Sequence, residues 1–88
     1  MPSIEAVHSG RWEIVIQAGS GTSLAFRVVA LNFNYAQALN ALIMRVTAYE
    51  ARRAVLTPQD TRMPRYEGFH RNGQPMAIYI RPYRLEVN

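Results

Sequence analysis

Few residues in this chain could do covalent or metal chemistry. Cysteine is absent, which removes a thiol nucleophile and a thiolate metal site. The two histidines, His8 and His70, stand too far apart in sequence to form a local metal motif. A Ser-His-Asp arrangement built on His8-Ser9 would have to recruit the single aspartate, Asp60, from across the fold. Gly19-Ser20-Gly21 lacks the Lys-Ser/Thr ending of a phosphate loop and leads into a strand, whereas a phosphate loop opens a helix. A metal-free nuclease using His70 with Arg65 or Arg71 finds no support in the spacing. No catalytic residue, metal or cofactor is expected.

What the chain does carry is positive charge. Its ten basic residues are all arginine, against five Glu and Asp60, for a formal charge of +4. Guanidinium makes forked contacts to phosphate and carboxylate and stacks on aromatic rings, so such a set suits a binder of nucleic acid or of an acidic protein surface. A GC-rich coding sequence also favours arginine over lysine, so the distribution is more informative than the total. Residues 1–44 balance Arg11 and Arg27 against Glu5 and Glu13, while residues 45–88 set eight arginines against four carboxylates. The whole excess lies in the second half, where it could steer an anionic partner. Arg45, Arg52, Arg53, Arg62, Arg65, Arg71 and Arg81 are the expected partner-binding residues.

Backbone elements must position these groups. With 88 residues, 49% of them hydrophobic and 18% charged, the chain reads as one domain, 1–88, with residues 1–10 as an arm that could add a strand. A core at this size is thin. Trp12, Ile14, Ile16 and Ala18 alternate with a period of two and predict a strand, followed by a turn at Gly19-Ser20-Gly21. Leu24, Phe26, Val28 and Ala30 continue the alternation in a second strand, which places Arg27 on the opposite face. Asn34 is an N-cap for an alanine-rich helix running from Tyr35 to about Leu56, where Thr57-Pro58 stops it. Two further strands, Arg65–His70 and Pro75–Arg81, flank the Asn72-Gly73 turn signal, and Pro82 suggests an edge or a break. The expected fold is α+β: a four-stranded antiparallel sheet in β-β-α-β-β order with one long helix on one face.

One helix covers one face, which leaves two surfaces for function. On the helix, Tyr35, Leu39, Leu42, Ile43, Val46 and Tyr49 form the expected sheet-packing stripe. The reverse side carries Gln37, Ala41, Met44, Ala48, Ala51 and Val55 without a charge, a surface that another helix could cover in a homodimer or with a partner. On the open sheet face, Arg11, Glu13, Val15, Gln17, Ala25, Arg27, Val29, Tyr79, Arg81 and Tyr83 are expected. Of these, Arg11, Arg27, Tyr79, Arg81 and Tyr83 form an alternative nucleic-acid face, since bases stack on rings while arginines track phosphates. The basic loop and hairpin from Thr57 to Pro75 is a third surface.

In layout, a short cysteine-free chain with a hairpin, a capped helix beginning Asn34-Tyr35-Ala36-Gln37-Ala38-Leu39 and a second hairpin resembles small proteins of phages and mobile elements, including some anti-CRISPR proteins. The resemblance implies a cytoplasmic inhibitor that blocks its target by contact. It rests on no motif and transfers no functional residue, and the basic second half departs from the acidic, DNA-mimicking members. The expected function is a non-catalytic interaction module that binds a protein or nucleoprotein partner. Direct nucleic-acid binding is the alternative, and a homodimer is compatible with both. No apolar run is long enough for a membrane span, and Met-Pro-Ser-Ile-Glu is not a signal sequence.

Overall fold

A computed structural model describes residues 8–19, 21, 24–32 and 34–84. The elements are β1 (His8–Ala18), β2 (Ala25–Asn32), α1 (Tyr35–Ala51), β3 (Val55–Pro58), β4 (Arg65–Phe69) and β5 (Pro75–Arg84). All five strands join one antiparallel sheet in the order β2-β1-β5-β4-β3, and α1 packs on one face. The α+β class matches the sequence reading, but the sheet has five strands where four were expected. The first three residues of β1 come from the expected arm; residues 1–7 lie outside the described part.

The extra strand comes from the stretch read as the end of the helix. α1 stops at Ala51, and Val55 and Leu56 pair with Phe69 and Gly68 in β3. The stop has a recognisable geometry. The N–H of Ala54 donates to the Tyr49 carbonyl at 3.1 Å, and that of Arg53 to the Glu50 carbonyl at 2.9 Å. This is a Schellman ending, in which the residue after the cap takes the left-handed conformation usually reserved for glycine. Here Arg53 takes it, with φ 70°. No glycine marks the helix end, so helix propensity carried the sequence reading too far.

β2 carries a bulge. Ile14 is registered with Ala30 but Val15 with Val28, so Val29 is an extra residue in the ladder. The bulge reverses the expected facing of residues 25–29, while Ala30 stays level with Ile14 as expected. Arg27 is registered with Ile16, on the helix side, while Phe26 and Val28 line up with Gln17 and Val15 on the open side, 61% and 45% exposed. Val29 packs against the core instead of facing outward.

The core lies between α1 and the two central strands. Ile14, Ile16, Ile78 and Ile80 from β1 and β5 meet Ala38, Leu42 and Val46 from the helix. Ile43, expected in the packing stripe, is 48% exposed; the stripe is centred on Ala38, Leu42 and Val46. The Asn34 side chain accepts from the Gln37 N–H at 2.8 Å, the cap that the sequence indicates. The Trp12 and Tyr35 rings meet edge-on at 5.1 Å and fix the start of the helix against the sheet. Pro82 sits in a central strand, not at an edge. It is registered with Trp12, beside a shift in the β1–β5 pairing, where a missing N–H is tolerated.

Candidate functional site

The fold sorts the arginines into two clusters with different surroundings. The first lies on the open sheet face. Glu13 is buried, at 8% exposure, and its carboxylate accepts from Arg81 Nε at 2.6 Å. A buried charge is tolerated when it is paired and hydrogen-bonded. Farther along the same two strands, Gln17 donates to the Tyr79 hydroxyl at 2.9 Å, and from β4 the Arg65 guanidinium lies 4.6 Å from the Tyr79 ring centroid. Arg65 Nε is also 3.4 Å from Glu67 Oε2. Beside this network, Thr61, Arg62, Met63, Arg65, Tyr79, Ile80 and Arg81 line a shallow hollow of about 350 Å³.

The expected Arg/Tyr face is therefore only partly assembled. Tyr79 and Arg81 are on it, and by alternation along β5 the half-buried Tyr83 falls on the same side. Arg27 is on the other side of the sheet. Arg11 is exposed within the β1–β5 register shift. The arginine over Tyr79 occupies ring surface on which a base would have to stack.

The outer helix seam is shorter than expected. Gln37, Met44, Ala48 and Ala51 are exposed, Met44 at 67%. Ala41 packs against the core, and Val55 belongs to β3, where it is exposed at the sheet edge.

The second cluster forms where the end of α1 meets the β4–β5 hairpin. A cleft of about 430 Å³ is lined by Tyr49, Arg52, Ala54, His70, Arg71, Asn72 and Gln74. The hairpin tip is closed by the Gly73 N–H donating to the His70 carbonyl and the His70 N–H to the Gln74 carbonyl, both at 2.9 Å. Gly73 has φ 85°, as the asparagine-glycine signal predicts for such a turn. Tyr49 and His70 meet edge to face at 5.6 Å. Among the described residues, no carboxylate lines the cleft.

The sequence names Arg52 and Arg71 as partner-binding residues but does not bring them to one site. It missed the wall residues Tyr49, Asn72 and Gln74. The turn signal did place His70 and Arg71 at a hairpin tip; only the misplaced helix end kept Arg52 from joining them. Arg45, Arg53 and Arg62 are exposed.

No protein-family model matches the chain, and comparison with curated proteins and with solved structures gives no match either. Among the described residues no three His, Asp or Glu side chains converge on a metal-sized site. No described helix is long and apolar enough to cross a membrane.

Proposed function

We propose that the protein is a small non-catalytic interaction module that docks onto an acidic protein or nucleoprotein surface through the arginines of its second half. The observation that supports this is the unequal pairing of charge. Among the described residues, the ion pairs use Arg65 and Arg81, with Glu67 and Glu13. Arg45, Arg52, Arg53, Arg62 and Arg71 are exposed and make no ion pair among the described residues. Charged groups left unpaired at the surface are the ones that steer and hold an anionic partner. The finer form, an inhibitor that occupies its target as some anti-CRISPR proteins do, is supported by the layout resemblance alone.

The test is fluorescence-anisotropy titration of three labelled probes: a polyglutamate peptide, single-stranded DNA and double-stranded DNA, at low and physiological salt. Binding of the acidic peptide that persists at physiological salt and falls in Arg52→Glu and Arg62→Glu is the expected result. Tighter binding of single-stranded DNA that depends on Tyr79 and Arg81 would replace this reading with the nucleic-acid one. Failure of all three probes would overturn both.

A further inference from the structure

The cleft between the end of α1 and the β4–β5 hairpin has walls of unusual composition. It brings two guanidiniums, Arg52 and Arg71, together with the Tyr49 and His70 rings and the Asn72 and Gln74 amides. We propose that this cleft binds a nucleoside phosphate, with Arg52 and Arg71 on the phosphate and the base against the Tyr49–His70 pair. The proposal goes beyond the docking reading but shares Arg52 and Arg71 with it; Arg62, which lies outside the cleft, separates the two.

Charge selects the class of ligand. Neither Arg52 nor Arg71 makes an ion pair among the described residues, and no carboxylate lines the cleft. Two unpaired guanidiniums facing one space suit phosphate, which they engage through short, charge-assisted hydrogen bonds. The space is also too large for phosphate alone. At about 430 Å³ it lies within the range of small-molecule and cofactor sites.

The remaining walls suit a base. Tyr49 and His70 are half-buried rings, and bases stack on such rings whatever their sequence. Asn72 Oδ1 is occupied by the Gln74 N–H at 2.9 Å, which leaves its NH₂ group to donate to a base edge. A phosphorylated peptide side chain would use the arginines but leave these amides and rings idle.

The cleft is built before any ligand arrives. The Schellman bonds fix the backbone at Arg52, and the closed hairpin tip fixes that of Arg71 and Asn72, so the ordering that binding must supply is confined to exposed side chains. The negative end of the helix dipole works against an anion. It is weakened here because the Tyr49 carbonyl already accepts from the Arg52 and Ala54 N–H groups, and the Glu50 carbonyl from that of Arg53.

Titration of the full chain with AMP, UMP, inorganic phosphate and phosphotyrosine, followed by NMR chemical shifts, tests the assignment. The expected result is that both mononucleotides bind and shift the resonances of Tyr49, His70 and Asn72. Arg52→Ala and Arg71→Ala should each weaken AMP at least about tenfold. Arg62→Ala, in the other cluster, should leave AMP binding unchanged. Inorganic phosphate should bind more weakly than AMP, because it lacks the base. No shifts up to about 10 mM nucleotide, phosphate binding as tightly as AMP, phosphotyrosine binding more tightly than AMP, or indifference to both variants would each overturn the proposal. The variants alter exposed side chains, and an unchanged far-UV circular dichroism spectrum would show that any loss is local.

Discussion

The open sheet face and the hairpin cleft both contain two or more arginines and a tyrosine, yet they differ in what the charges do. On the sheet, the guanidiniums carried by the strands are already engaged: Arg81 holds the buried Glu13, and Arg65 reaches both Glu67 and the Tyr79 ring. In the cleft, Arg52 and Arg71 line one space, and among the described residues no carboxylate joins them. The same residue type is thus part of the scaffold in one place and available in the other. The difference lies in the neighbours, because a partner atom in the fold competes directly with a partner atom in a ligand.

The largest effect is expected from removing the frame of the cleft. A Cβ built on Gly68 would lie 1.7 Å from the Val55 carbonyl oxygen, inside the backbone of the adjacent strand. Gly68→Ala must therefore push β3 away from β4, and with it the chain leading out of Arg52. A loss of about 3–4 kcal/mol in urea-denaturation stability is expected, and a variant as stable as the parent would show that β3 does not pair as described.

A smaller effect sharpens the contrast between the two clusters. Arg81→Ala leaves the Glu13 carboxylate buried without its cation and should cost about 2 kcal/mol, less than for a fully buried pair because Arg81 is itself half exposed. Arg71→Ala, measured in the same way, should cost less than about 0.5 kcal/mol. Equal losses would erase the distinction between scaffold and available arginines.

The smallest effect concerns the helix end that shapes the cleft. Arg53→Gly relieves a left-handed conformation at φ 70° but adds backbone entropy to the unfolded chain. The two nearly offset, and a change within about 0.5 kcal/mol is expected, whereas Arg53→Val should lose about 1–2 kcal/mol. Thermal unfolding followed by circular dichroism separates the two.

Much of this architecture could be read from residue order. The alternation in β1, the Asn34 cap and the Asn72-Gly73 turn each act locally, and each appears as expected. The misreadings arose where a distant contact overrode a local preference. Arg52-Arg53-Ala54 has no glycine to end a helix, and the end is set by pairing of Val55 and Leu56 with β4. Likewise nothing local to Val29 announces a bulge; the reversal of Phe26, Arg27 and Val28 follows from how β2 fits β1. Of the two arginine clusters, the sequence showed the residues but not the pairing. That Glu13 neutralises Arg81 across 68 positions, or that Arg52 and Arg71 line one cleft, is a property of the tertiary fold.

Both ends of the helix are held by rings, Trp12 against Tyr35 at its start and Tyr49 against His70 at its finish. Between them lies a rod of 17 residues, about 25 Å long. Trp12 is the only tryptophan in the chain, so its emission belongs to one known place, excited in part through the tyrosine beside it. A molecule settling against His70 that tilted the rod would change the overlap of indole and phenol at the far end. The chain thus carries its own optical gauge, placed where it can register events in the cleft without touching them.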